Sequence, residues 1–323
     1  MTNAGNGLKL VFCGTPQFAV PTLEALLAAR HEVALVVSQP DRPIGRDRRL
    51  TAPPVKQAAL AAALAVTQPE RIRNNTEFRS LLESIAPDAI VVVAYGRIIP
   101  PWMLALPRLG CINLHASLLP KYRGAAPIQW AIAMGDAYTG NTTMLLDEGL
   151  DTGPVLLQQT MEIGPEQTAV DLFPMLARAG APLVVETLSG LANGSIHPQP
   201  QSHEDATFAP LLDRHDGRMD FAARTAHEIY NRWRGFQPWP GAFTALNGKK
   251  LIVHRMAIAR GGYAERLGFA EPSWVLVENH RLLASCAGNT WLEFLEVQLE
   301  GKKRLGAAEF LRGNPLVADA RLG

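Results

Sequence analysis

The stretch Asp88-Ala-Ile-Val-Val-Val-Ala94 is a near-continuous run of β-branched and small apolar residues. Such a run suits a strand covered on both faces, the setting of strands in parallel sheets flanked by helices. The chain around it repeats that setting. Leu8 to Cys13, Val33 to Ser38 and Cys111 to His115 read as further strands. Pro21 to Arg30, Val55 to Leu64, Glu77 to Ile85 and Ala125 to Met134 read as helices, with Leu23, Leu26 and Leu27 on one stripe of the first. Strands alternating with helices predict an α/β fold built on a parallel, doubly wound sheet. Ligands of such sheets bind beyond the carboxyl ends of the strands. Gly14-Thr-Pro16, Tyr95-Gly96 and Asn113 to Ser117 fall at those ends.

Past about residue 200 the pattern changes. His197-Pro-Gln-Pro-Gln-Ser-His203 is polar and Pro-containing and reads as a connecting segment. The expected division is 1–200, a linker at 201–209, and a second domain at 210–323. Ala222 to Trp233 reads as a helix. Short strand-like pieces follow at Ala242 to Leu246, Lys250 to Arg260, Ser273 to Val277, Arg281 to Ala287 and Thr290 to Gln298. The turn signals Asn247-Gly248, Gly261-Gly262 and Gly288-Asn289 separate them. This spacing predicts a small β-barrel. A basic loop, Gly301-Lys-Lys-Arg304, and a short helix from Ala307 to Arg312 complete the reading.

Composition narrows the function classes. The chain has 323 residues, 47% of them hydrophobic, which suits two folded domains and argues against disorder. The net charge of +1 is unevenly spread: from Pro210 onward there are 16 basic and 12 acidic residues, and before it 15 and 18. A basic second half hints at an anionic partner. Three separated cysteines, Cys13, Cys111 and Cys286, form no Cys-x-x-Cys pair and read as buried thiols of a cytosolic protein. No apolar run approaches the roughly 18 residues of a membrane span, and Met1 to Gly7 shows no leader pattern.

The chemistry concentrates in two places. Residues i and i+2 of a strand face the same way, so Asn113 and His115 would share one space while Ile112 and Leu114 turn away. Asp147-Glu-Gly-Leu-Asp-Thr-Gly153 is an acidic turn that places Asp151 36 residues after His115. There is no Gly-x-Gly-x-x-Gly turn after the first strand, no Gly-x-x-x-x-Gly-Lys-Ser/Thr and no Gly-x-Ser-x-Gly, which disfavours dinucleotide, triphosphate and serine-hydrolase chemistry. Histidine spacing offers no metal cluster. An amide, an imidazole and a carboxylate without metal or nucleophile suit acyl transfer through a tetrahedral intermediate. A structural histidine and a turn aspartate remain the other reading of these residues.

Six segments together carry a resemblance: Phe12-Cys-Gly-Thr-Pro16, Gln39-Pro-Asp-Arg-Pro-Ile-Gly-Arg46, Val92-Val-Ala-Tyr-Gly96, Cys111 to Pro127, Gly140 to Gly153 and Phe236-Gln-Pro-Trp-Pro240. The chain resembles the methionyl-tRNA formyltransferase family over nearly its whole length. Ser117-Leu-Leu-Pro-Lys-Tyr-Arg-Gly124 and Gly140-x-Thr-x-x-x-x-x-Glu-x-Leu-Asp151-x-Gly153 also match the wider superfamily that uses 10-formyltetrahydrofolate. The resemblance implies a Rossmann-like, mostly parallel domain followed by an OB-fold-like barrel. It implies a catalytic centre of Asn113, His115 and Asp151, and a folate site at Ser117, Leu118, Leu119 and Pro120 with Tyr95 and Gly96 nearby. Tyr122 and Arg123 would shape the folate loop or serve structure alone.

The partners implied are the folate co-substrate and methionyl-initiator tRNA, with no metal and no membrane, acting as a monomer in the cytosol. The Pro40-to-Leu50 segment holds four arginines and two aspartates and reads as a loop. The family uses this loop on the acceptor end of the tRNA, with Arg46 as its key arginine. Arg42, Arg48 and Arg49, and Lys302, Lys303 and Arg304 with Lys249 and Lys250, are further tRNA candidates. Trp233, Trp239, Trp274 and Trp291 read as barrel packing. The alternatives are a sugar-nucleotide N-formyltransferase and a 10-formyltetrahydrofolate hydrolase.

Overall fold

The computed structural model describes residues 7–44, 49–316 and 320–323. They form two compact units. One comprises Met1–Pro127, Tyr138–Glu162 and Leu172–Pro210; the other comprises Ile128–Ala137, Ile163–Asp171 and Leu211–Gly323.

The first unit carries strands β1 (Lys9–Gly14), β2 (Glu32–Val37), β3 (Arg42–Ile44), β4 (Arg49–Thr51), β5 (Val66–Thr67), β6 (Ala89–Val93), β7 (Cys111–His115), β8 (Tyr138–Leu145) and β9 (Val155–Glu162). Helices α1 (Val20–Ala28), α2 (Pro54–Ala61), α3 (Thr76–Ile85) and α4 (Pro101–Leu104) fall between them; α5 (Pro127–Ala133) and α6 (Ala169–Asn193) follow. The main sheet runs β5-β2-β1-β6-β7-β8-β9. It is parallel from β5 to β7, as expected, whereas β8 and β9 add antiparallel to its edge. The order reverses between β1 and β6, where a doubly wound sheet opens its ligand crevice.

Every residue of β6 is buried, which explains its unbroken apolar run. Val11, Cys13, Ile90, Val92 and Cys111 join Phe78 and Leu82 of α3 and Met103 of α4 in the core of one sheet face. Asn75 starts α3 by accepting a hydrogen bond from the Phe78 amide at 2.9 Å. On the other face, Leu114 packs against α6 at Gly180, where a Cβ would come within 2.7 Å of the leucine Cδ2. That contact turns Ile112 and Leu114 away and leaves Asn113 and His115 on the opposite side.

The Pro40-to-Leu50 segment is not a plain loop. β3 and β4 pair antiparallel, Arg42 opposite Thr51 and Pro43 opposite Leu50. A two-stranded ladder has only edge strands, so Pro43 is tolerated. Its base is anchored by Asp41, which accepts from Lys56 at 2.8 Å and from Gln68 at 2.8 Å. Those partners, Lys56 foremost, hold the Asp41 carboxyl below its usual range.

In the second unit, β10 (Phe243–Leu246), β11 (Lys249–Ile258), β12 (Val275–Glu278), β13 (Arg281–Cys286) and β14 (Thr290–Leu299) form an antiparallel sheet ordered β10-β11-β14-β13-β12, with β15 (Arg304–Gly306) on β14. The edges β10 and β12 are joined through the last residues. Leu322 bridges Leu246, Arg321 bridges Trp274, and the Val275 amide donates to the Ala320 carbonyl at 3.0 Å. This closes the ring that an open sheet edge would leave exposed. Helices α7 (Ala226–Gly235), α8 (Tyr263–Leu267) and α9 (Ala307–Gly313) complete the unit.

The unit recruits 128–137 and 163–171 by specific contacts. Trp130 meets Phe236 edge-on at 5.4 Å, Arg232 covers both rings, and buried Arg234 donates to the Gly164 and Gln167 carbonyls. Trp291 is buried and Trp274 packs on it at 5.8 Å; Trp239, expected to pack, is 52% exposed. All three cysteines are buried, and burial pushes the Cys111 and Cys286 thiols up to about 12. Among the described residues no helix is long and apolar enough to cross a membrane.

Leu322 is buried beside Leu246 in the barrel core. Leu322→Ala should therefore cost about 2–5 kcal/mol of barrel stability, read from the urea midpoint by tryptophan fluorescence.

Candidate active site

Asn113 and His115 lie at the carboxyl end of β7, beside Val92 of β6 and Thr142 of β8 in the ladder. The Asn113 side chain is half-buried and has no hydrogen-bond partner among the described residues. His115 is 6% exposed, and its Nε2 lies 2.9 Å from the Tyr122 carbonyl oxygen. A carbonyl only accepts, so Nε2 carries a proton and donates. The other nitrogen, Nδ1, faces Asp151 Oδ2 at 3.7 Å. That gap exceeds hydrogen-bond length. The Tyr122 carbonyl therefore orients the imidazole through Nε2, with the Asp151 carboxylate beside Nδ1.

Tyr122 reaches this position because the chain reverses after β7. Its φ is 62°, in the left-handed region, and Gly124 follows at 119°. At Gly124 only glycine fits, since a Cβ would meet the Ala209 carbonyl oxygen at 2.7 Å. The Gly124 amide donates to Asp151 Oδ2 at 2.8 Å, so one reversal delivers a carbonyl to the imidazole and an N–H to the carboxylate.

Asp151 itself sits at φ 51° in the β8–β9 connection. The turn is built by Asp147, which accepts from the Gly149 amide at 3.0 Å and the Thr152 hydroxyl at 2.7 Å. A Cβ at Gly153 would strike the Leu145 carbonyl. Asp147 thus shapes the turn and Asp151 presents a carboxylate.

The expected folate loop is held by side chains of β8 and β9. Thr142 Oγ1 donates to the Ser117 carbonyl at 2.6 Å and accepts from the Leu119 amide at 3.1 Å. Gln158 donates to the Leu119 carbonyl at 2.8 Å and to Thr142 Oγ1 at 3.0 Å. The Ser117 hydroxyl donates to the Lys121 carbonyl at 2.6 Å, and the Leu119 side chain is buried. Leu118 and Pro120 remain half-exposed as apolar surface. Thr142 had a signal in the Gly140-x-Thr pattern; Gln158 had none.

The Tyr95 side chain is buried in the sheet core, where burial raises its hydroxyl above the ordinary range. Its backbone carbonyl accepts from Thr15 Oγ1 at 3.1 Å and Gln39 Nε2 at 3.2 Å, which ties the β6 end to those of β1 and β2. Gly96 turns the chain at φ 77°.

Of the basic candidates, Arg42 and Arg49 are exposed on β3 and β4, whereas Arg46 and Arg48 lie outside the described residues. Lys302 and Lys303 are exposed on the loop before β15. Arg304 is paired with Glu296, and Lys250 lies 3.9 Å above the Phe243 ring. Among the described residues no group of His, Cys, Asp and Glu could hold a metal ion.

Residues 8–188 match the formyl transferase family and residues 211–315 the formyl transferase C-terminal domain. These matches define the class of the protein as a formyl transferase. The methionyl-tRNA formyltransferase of Acidobacterium capsulatum is 66% identical over 98% of this chain and 100% of that protein. That of Koribacter versatilis is 59% identical over 94% and 95%. The chain belongs to the methionyl-tRNA formyltransferase family. Among solved structures, the N-formyltransferase from Helicobacter canadensis in complex with folinic acid and dTDP-3-aminofucose has a TM-score of 0.65 at 18% identity, over 89% of this chain and 98% of that one. HypX from Aquifex aeolicus in complex with tetrahydrofolic acid has a TM-score of 0.60 at 16% identity, over 95% of this chain and 47% of that one. At such identities the likeness is one of fold.

Gly124→Ala should force the reversal to move. An expected cost of about 1–3 kcal/mol would show in chemical denaturation. Formyl transfer should fall with it, since both the Tyr122 carbonyl and the Gly124 amide shift.

Proposed function

We propose that the chain transfers the formyl group of 10-formyltetrahydrofolate to the α-amine of methionyl-initiator tRNA, giving N-formylmethionyl-tRNA for translation initiation. The observation that carries the site assignment is the fixed imidazole: Nε2 is committed to the Tyr122 carbonyl, and Nδ1 is left beside the Asp151 carboxylate. Half-buried Asn113 stands one pleat away with its amide free to donate, among the described residues.

Asn113 donates to the formyl oxygen as the amine adds to the formyl carbon and negative charge grows there. His115 stabilises the same charge, and Asp151 supports its charged form and takes the proton that the amine sheds. As the bond to N10 of the folate breaks, that proton passes to N10, so one N–H and one C–N bond are exchanged for another pair. Preorganised donors are the main source of such catalysis, and losing one typically costs about 2.7–4 kcal/mol of barrier. Leu118 and Pro120 offer apolar surface to the folate on a loop fixed by Thr142 and Gln158.

We assign catalysis and folate binding to 1–200, with the 201–209 connection packed into the same unit, and tRNA binding to the barrel of 210–323, with Arg42, Arg46, Arg48 and Arg49 reaching the acceptor end. Lys302 and Lys303 are better placed for phosphate contact than Arg304, whose charge Glu296 already meets. In this proposal the protein acts as a monomer in the cytosol.

His115→Ala and Asp151→Ala should each lower single-turnover transfer by about 100-fold or more with folate affinity nearly unchanged; a variant with near-normal kcat would remove the assigned role. Arg46→Ala should weaken tRNA use, leave folate binding intact and reduce the salt slope of tRNA binding by about one unit, as filter binding across a salt series would report.

A further inference from the structure

We infer that buried Arg123 and Gln201, with Thr207, form a positioning clamp that holds Asp151 and His115 in register, and that the 199–209 segment is thus a working wall of the active site. This rests on the proposed catalytic roles of those two residues.

Arg123 is 3% exposed, and no carboxylate lies within ion-pair distance of it among the described residues. Its guanidinium instead donates to Gln201 Oε1 through Nε at 3.1 Å and Nη2 at 2.8 Å, and through Nη1 to His203 Nδ1 at 3.2 Å. A buried cation met only by neutral groups is expensive, so its presence calls for a reason beyond packing. The reason lies on the other side of Gln201. Its Nε2 donates to the Asp151 carbonyl at 2.9 Å and to the Gly153 carbonyl at 2.6 Å. The orientation of this amide is fixed, because arginine only donates and the carbonyls only accept. Gln201 therefore uses both ends at once, and the left-handed backbone of Asp151 is pinned through it to Arg123.

The same segment holds the histidine side. The Tyr122 amide donates to Thr207 Oγ1 at 2.9 Å, the Arg123 amide to the Thr207 carbonyl at 2.8 Å, and the Ala209 amide to the Arg123 carbonyl at 2.7 Å. These bonds fix the Tyr122 carbonyl that orients His115 and the Gly124 amide that meets Asp151. One short segment thus bears on both sides of the 3.7 Å gap between imidazole and carboxylate.

Glutamate at 201 separates the two ends of the amide. Gln201→Glu keeps an acceptor for Arg123, indeed a charged one, but cannot donate to the Asp151 and Gly153 carbonyls. If the residue served only to solvate Arg123, this variant would keep its activity. As a clamp it should lose about 100-fold in kcat, the scale of an ångström-level misplacement. Folate affinity should stay within about threefold, under half the energy of a single hydrogen bond to a charged group, and the midpoint of the pH–rate profile should move. Thr207 is exposed, so Thr207→Val leaves the fold intact and should cost about tenfold in kcat, the scale of one hydrogen bond. Single-turnover formyl transfer to methionyl-initiator tRNA across pH, with folate binding measured in parallel, reads all of these in the full chain. Near-normal kcat in both variants, or lost activity with an unmoved pH profile, would overturn the clamp. His115→Ala run alongside keeps the two claims apart. If it still transfers, the catalytic reading fails; if it is inactive while Gln201→Glu and Thr207→Val are fully active, only the clamp fails.

Discussion

The hydrogen bond from His115 Nε2 to the Tyr122 carbonyl is the constraint on which the site depends. It fixes which imidazole nitrogen is committed and which one faces Asp151. It exists only because the chain turns back seven residues after His115 through a left-handed tyrosine and a glycine whose Cβ would not fit. The reversal in turn needs a floor, supplied by Thr142 and Gln158, and a wall, supplied by 199–209. The sheet provides the frame. β7 ends at the crevice side because Ile112 and Leu114 are claimed by the face that packs α6, and the neighbouring pair has nowhere to point but the opposite space.

Much of this frame is legible in the residues. The unbroken apolar run of β6 and the alternation of strands with helical stripes report burial directly, because period and hydrophobicity are local properties of the chain. Asn113 and His115 are legible for the same reason, as two polar side chains on one face of an otherwise apolar strand. Asp151 is legible as part of an acidic Gly-bearing turn, though the turn-building carboxylate proves to be Asp147. The barrel strands are read from turn pairs such as Asn247-Gly248.

What is not legible depends on contacts between distant residues. Arg123 and Gln201 are 78 positions apart, and nothing in a polar Pro-Gln-Pro-Gln run shows that one of its glutamines is buried against a turn. The 197–203 stretch reads as a linker because its composition is that of one; its role comes from bonds formed after folding. Helix α6 escapes notice because Pro174 and Pro182 lie inside it, where proline ordinarily argues against a helix. The β3–β4 ladder is hidden by Pro43, and closure of the barrel by 320–322 joins strands that are far apart in the chain.

The reaction has two halves, the formyl donor and the amine that receives it. A formylation assay with labelled 10-formyltetrahydrofolate, offering methionyl-initiator tRNA, uncharged tRNA and a UDP-amino-sugar together, tests both halves at once. The label should appear on the methionyl amine alone. Label on the sugar amine, or formate released without an acceptor, would contradict it.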